Sequence, residues 1–214
     1  MIAPAMSVHL DPFYPVVPDS DWVARIVPRG VKTVQLRLKD AAEEERRRQI
    51  SDSLDCCAKH ACQLIVNDYW AEAIALGASC LHLGQEDLAD ADLEAIHASG
   101  IGLGVSSHDR SELRAALDAS PHHVALGPVY ATTLKKMKWR PQGLDRLETW
   151  VRDAGKPVVA IGGITLERAP DVWARGVASI AVVTDVVFHD HPDARVDAWL
   201  AWADRVRSSE IAHV

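Results

Sequence analysis

Eight short apolar runs, each separated from the next by a longer segment, constrain this chain more than any other feature. They are Phe13–Val16, Thr33–Arg37, Leu64–Val66, Leu81–Leu83, Gly102–Ser106, His123–Leu126, Val158–Ile161 and Ile180–Val183. Several are continuously apolar rather than alternating, VVAI at 158–161 being the plainest. A strand reads that way when both of its faces are buried, as in a parallel sheet covered by helices. Helical periodicity fills the gaps: Ala41–Lys59, Tyr69–Leu76, Asp92–Ala98, Arg110–Ala119, Leu144–Ala154, Leu166–Ala174 and Val196–Val206. The first of these opens on Glu43, Glu44 and Glu45, which suits the positive end of a helix dipole. Gly77, Gly100, Gly155 and Gly176 stand near helix ends, where a left-handed residue commonly stops the helix.

Strict alternation of strand and helix predicts an α/β fold with a parallel sheet. With eight units in 214 residues, the expected architecture is a single (β/α)8 TIM barrel over residues 1–214, near the lower size limit of about 200 residues for that fold. A doubly wound open sheet is the runner-up, because periodicity does not separate the two. No stretch rich in Pro, Gly or Ser divides the chain. Hydrophobic residues make up 48%, enough for a core of ordinary size.

Charge and cysteine usage narrow the functional classes. The net charge of -7 argues against nonspecific binding to nucleic acid or to an anionic membrane. An anionic ligand must therefore be met by local cations and backbone N–H groups. Cys56, Cys57, Cys62 and Cys80 form no CxxC pair and read as reduced thiols of a cytoplasmic protein. A zinc site from Cys56, Cys57, His60 and Cys62 has the wrong spacing for the usual knuckles. The opening MIAPAMSVHLDPFYP lacks a basic region followed by a long apolar run, so no signal peptide is expected. No run of 18 apolar residues exists to span a membrane. A homodimer is one assembly left open.

In parallel α/β proteins ligands sit at the carboxyl ends of the strands, so the polar residues there carry the functional reading. After the second run, alternation puts Gln35, Arg37 and Lys39 on one side. Two unpaired cations at a strand end suit a diphosphate; a salt-bridged interior is the bland alternative. Asn67–Asp68 follows the third run and Gly84-Gln85-Glu86-Asp87 the fourth. Carboxylates from neighbouring strands, with waters and phosphate oxygens, make an ordinary magnesium site. Each aspartate alone would read equally well as a helix cap.

Ser106 ends the fifth run, either bonding a phosphate or capping the next helix, while His108 reads as a bystander. The sixth run leads into ATTLKKMKWRPQG, whose Lys135, Lys136, Lys138 and Arg140 suggest a lid over phosphates. Gly162–Gly163 after the seventh run lets backbone N–H groups approach a phosphate. Thr184 follows the eighth, and barrel phosphate pockets commonly lie after strands seven and eight. Gly100, Gly102 and Gly104 lie before or within the fifth run, which discounts a Rossmann motif.

In this order, VQLRLKD, LIVNDYW with ALGASCLHLGQEDL, IGLGVSSH, ALGPVYATTLKKMKWRPQGL, and PVVAIGGI with IAVVTDVV resemble the thiamine-phosphate synthase family. The similarity runs from about Val31 to Val187. It implies a barrel that needs magnesium and couples an aminopyrimidine methyl diphosphate to a thiazole monophosphate, releasing pyrophosphate. It further implies that Gln35, Arg37, Lys39, Asn67, Ser106 and Lys135 hold the pyrimidine diphosphate. Asp68 and Asp87 would bind magnesium. Thr132, Gly163, Val183 and Thr184 would hold the thiazole phosphate.

Two departures matter. The family's loop reads T-x-T-K, whereas here it is Thr132, Thr133, Leu134, Lys135, so the second hydroxyl contact either passes to Thr133 or is lost. Thr184 replaces a common serine and keeps a hydroxyl. The implied chemistry needs no protein base: Arg37, Lys39, Lys135 and magnesium stabilise the departing pyrophosphate, and the thiazole nitrogen attacks. Competing expectations are a thiazole tautomerase-like paralogue, a noncatalytic phosphate-binding barrel, and another phosphosugar enzyme on the same fold.

Overall fold

The computed structural model describes residues 8–132 and 139–211. Along the chain come β1 (Phe13–Val17), α1 (Ser20–Ile26), a 3-10 turn (Val27–Arg29), β2 (Thr33–Leu36), α2 (Glu43–Lys59), β3 (Gln63–Asn67), α3 (Trp70–Ala75) and β4 (Cys80–Leu83). Then follow α4 (Gln85–Asp90), α5 (Leu93–Ser99), β5 (Gly102–Ser107), α6 (Arg110–Asp118), β6 (His123–Leu126) and α7 (Gly143–Ala154). The chain finishes with β7 (Val158–Ile161), α8 (Ala169–Trp173), β8 (Ser179–Val182), α9 (Thr184–Val187) and α10 (Pro192–Ile211). The strands close into one barrel in sequence order. β1 pairs in parallel with both β2 and β8, which excludes the open doubly wound sheet.

All eight expected strands exist, and their apolar character follows from burial on two sides. Outward-facing residues such as Phe13, Val34, Leu83 and Ile180 pack beneath the helices, together with Trp150 and Trp199. Phe13 stacks on Trp199 with ring centroids 5.2 Å apart. Burying each such side chain stabilises the fold by about 1.5–3 kcal/mol. A second, smaller cluster fills the barrel interior: Tyr14, Val16, Ile65, Cys80, Ala125, Val159 and Ala181. Val8 and Leu10 pack against it from the amino-terminal end. Just beyond them, buried Asp11 pairs with Arg207 of α10. The barrel is thus filled at its bottom and open at the carboxyl ends of its strands.

Three helices were not legible in the periodicity. α4 buries no residue, so it carries no apolar stripe. α9 is a single turn of four residues. α1 begins on a local signal instead, with the Asp19 side chain accepting from Trp22 N–H at 2.8 Å. The segment expected as a helix over Leu166–Ala174 narrows to Ala169–Trp173, with Pro170 in its first turn. Gly100 and Gly155 do terminate α5 and α7, with φ of 77° and 59°.

Candidate active site

A cavity of about 870 Å³ opens at the carboxyl ends of the strands. β2 delivers Gln35 into it from the barrel interior, where the Gln35 amide donates to the Tyr14 hydroxyl at 2.6 Å. The strand ends at Leu36, so Arg37 and Lys39 stand on the following loop. Both still line the cavity, with Arg37 half-buried and Lys39 exposed. The bland alternative of a salt-bridged interior therefore does not describe them.

β3 and β4 bring the two aspartates together. Asp68 sits just past β3 in a left-handed conformation, φ 68°, which aspartate tolerates better than most residues. Its N–H donates to the His82 carbonyl at 2.9 Å, tying the ends of the two strands. Asp87 lies in the first turn of α4 and approaches Gly84 closely: a Cβ at Gly84 would stand 2.8 Å from Asp87 Oδ2. Neither aspartate is a helix cap. Tyr69 precedes α3 and Gly84 precedes α4, and neither helix has a side-chain cap hydrogen bond.

Burial first, then the neighbouring Asp87 charge and a hydrogen bond between the two carboxyls, push Asp68 up to about 6. The nearby Arg37 charge and a Gly84 N–H oppose that rise. Two neighbouring carboxylates of this kind offer the oxygen donors that hard divalent cations take. Among the described residues no third His, Cys, Asp or Glu joins them. Such a donor set fits magnesium, which usually keeps several waters and phosphate oxygens in its shell. The cysteine-rich stretch of α2 likewise gathers no metal cluster among the described residues.

The remaining sequence-derived positions converge on the same cavity. Asn67 and Ser106 line it from β3 and β5. Ser106 does not cap α6; Asp109 does, accepting from Ser111 and Glu112 N–H. Thr132, Gly163, Val183 and Thr184 line the opposite side. Thr133 and Lys135, with Leu134, Lys136 and Lys138, lie outside the described residues.

The paired glycines have a packing reason as well. Val129 and Tyr130 N–H donate to the Ile161 and Gly162 carbonyls, zipping the turns after β6 and β7 together. A Cβ on Gly163, whose φ is 66°, would lie 2.4 Å from the Ala131 carbonyl oxygen. Asp185, the residue after Thr184, accepts from Leu166 N–H, from the Arg195 guanidinium and from the Trp199 indole. These bonds hold the turn after β8 against α10.

Several cavity residues went unread in the sequence. His82 points inward from β4, and its place two residues after Cys80 is the signal that was available. His108, set aside as a bystander, lines the cavity and stacks on Trp139 with centroids 4.0 Å apart. Its Nδ1 lies 2.7 Å from Glu112 Oε2. The stack on Trp139 joins the loop after β5 to a residue beyond β6, so no local pattern announces it. Phe188, the large apolar side chain most exposed among the described residues at 68%, stands at the rim.

A closed parallel barrel whose mouth gathers two cations, a carboxylate pair and a glycine turn belongs with barrels that handle phosphorylated small molecules. Comparison with known proteins makes this specific. Residues 14–186 match the family described as thiamine monophosphate synthase. Thiamine-phosphate synthase of Rhizobium etli is 56% identical over 195 residues, covering 91% of this chain and 96% of that protein. The Neisseria meningitidis serogroup A enzyme of the same name is 48% identical, covering 90% and 94%. The chain belongs to the thiamine-phosphate synthase family, a family of transferases. The fold of thiamine phosphate pyrophosphorylase from Pyrococcus furiosus superposes with a TM-score of 0.80 at 24% identity, covering 91% of this chain and 96% of that one. A 3-hexulose-6-phosphate synthase shares the fold at a TM-score of 0.62 and 16% identity, covering 87% and 97%.

Proposed function

We propose that this chain couples an aminopyrimidine methyl diphosphate to a thiazole monophosphate, giving thiamine phosphate and pyrophosphate, by a magnesium-assisted dissociative substitution. The observation that carries this reading is the convergence of Asp68, Asp87 and Arg37 on one side of a single cavity. Asp68 and Asp87 would hold magnesium, which when bound supplies positive charge for the leaving pyrophosphate. Arg37 and Lys39 neutralise the same group from the β2 side, and the family resemblance assigns Lys135 to it as well. Gln35, Asn67 and Ser106 orient the pyrimidine diphosphate. Thr132, Gly163, Val183 and Thr184 orient the thiazole phosphate, with Thr133 the candidate for the hydroxyl that Leu134 lacks.

Such residues bind, orient and neutralise, and the electron-rich pyrimidine supports the developing cation itself. No protein base is required, because the thiazole nitrogen attacks with its own lone pair. The full set of cations and carboxylates favours coupling over a tautomerase-like or noncatalytic role. Free cysteines and a net charge of -7 fit a cytoplasmic setting and small anionic substrates rather than nucleic acid. No helix among the described residues is long and apolar enough to cross a membrane.

Asp87→Ala tests the metal role. It is expected to abolish coupling while circular dichroism stays at the parent value and Tm does not fall. Retained activity with unchanged magnesium dependence would refute the assignment.

A further inference from the structure

Two imidazoles lie buried in the barrel interior below the site: His82 of β4, 6% exposed, and His123 of β6, fully buried. His82 Nε2 is 2.8 Å from Ser106 Oγ. Among the described residues His82 Nδ1 has no hydrogen-bond partner, and neither does either ring nitrogen of His123. The rings are 5.8 Å apart. Gly104 of β5 lies between them: a Cβ there would stand 2.2 Å from His123 Nε2 and 2.7 Å from His82 Nδ1. The two imidazoles therefore fill the space that a side chain at position 104 would take, and only glycine fits between them.

A buried N–H left without a partner is rarer than a buried acceptor left without one, so the unpartnered Nδ1 is the better place for the lone pair and Nε2, facing Ser106, for the proton. Burial first, and then the Arg37 charge, hold His82 down at about 4, so its ring is neutral near pH 7. A neutral imidazole has one donor nitrogen and one acceptor. If Nδ1 carries the proton, Nε2 accepts from Ser106 and the serine offers the cavity only lone pairs. If Nε2 carries it, His82 donates to Ser106 and the hydroxyl proton is free to turn toward an anion.

We propose that His82 is a positioning residue: it donates from Nε2 to Ser106 Oγ and thereby aims the Ser106 hydroxyl proton at a phosphate oxygen in the cavity. This assignment rests on the reading of Ser106 as a diphosphate ligand.

The first test is the tautomer itself, read from two-bond correlations between ring protons and nitrogens in 15N-labelled protein. A protonated Nε2 on His82 is expected; a protonated Nδ1 overturns the proposal. The second test is a double-mutant cycle in the coupling reaction. His82→Leu is expected to raise KM for the pyrimidine diphosphate roughly tenfold or more. His82→Gln, whose amide N–H can replace the ring donor, is expected to recover most of that loss. In a Ser106→Ala background, His82→Leu is expected to change KM by less than about twofold. An equal penalty in both backgrounds overturns the proposal, because a merely structural histidine would cost the same with or without Ser106. Should His82→Leu not fold, the tautomer of the unmodified protein decides. Absence of product from the unmodified protein would instead overturn the coupling reading, leaving the tautomer result to stand separately.

Discussion

At the scale of single residues, the carboxyl pair carries the most consequence. Asp68 has a folded value of about 6 against 3.8 for a free aspartate. The folded chain therefore holds that proton more tightly than the unfolded one does. Its stabilising contribution is present below about pH 4 and is lost as pH rises through 6. Asp68→Asn is thus expected to raise Tm near pH 7 when no divalent cation is present. The gain should vanish near pH 4, and added magnesium should raise the Tm of the parent protein alone. Equal Tm values for parent and variant at about pH 7 without cation would show that the pair is not strained. The strand-end polar residues were legible because apolar runs end abruptly in NDY and GQED. What was not legible is that the caps are elsewhere: Asp109 and Asp92 cap their helices, while Asp68 and Asp87 are left free to face each other. His82 was missed because a histidine between two leucines reads as plain strand until the barrel closes around it.

At the scale of elements, the connections place the ligand groups and two of them invite measurement. Asp185 takes four hydrogen bonds from three partners and fixes α9 to α10. Asp185→Ala leaves Arg195 with only the exposed Glu167, so it is expected to destabilise the fold by about 3 kcal/mol, measurable by urea unfolding. A loss below about 0.5 kcal/mol would mean the network is peripheral. The far foot of the β6–α7 connection rests on the His108–Trp139 stack and on Gln142, whose amide donates to the His108 carbonyl at 2.9 Å. Trp139→Ala is expected to cost about 1 kcal/mol or less of stability yet to raise KM, with Trp139→Phe restoring it. An unchanged KM would make the stack irrelevant to binding. Strands were readable here because burial on both faces writes itself as composition. α4 and α9 were not, since a helix that buries little leaves no stripe in the sequence.

For the whole molecule, closure is what turns scattered strand ends into one site. Pairing of β1 with β8 brings Tyr14 opposite Ala181, so Arg37 and Lys39 after β2 and the glycine turn after β7 face one cavity. Eleven sequence-derived positions among the described residues line it: Gln35, Arg37, Lys39, Asn67, Asp68, Asp87, Ser106, Thr132, Gly163, Val183 and Thr184. They come from seven of the eight strands or the segments that follow them, which closure of the barrel gathers at one mouth. Among the described residues Val8 and Leu10 cover the amino-terminal end of the interior, and the cavity opens at the carboxyl ends of the strands. The decisive measurement is pyrophosphate release from the pyrimidine diphosphate, followed with and without the thiazole phosphate at saturating magnesium. Pyrophosphate and thiamine phosphate are expected in equal amounts, with both lost on chelation of the metal. Absence of thiamine phosphate, or its formation at an undiminished rate without a divalent cation, would contradict the assignment.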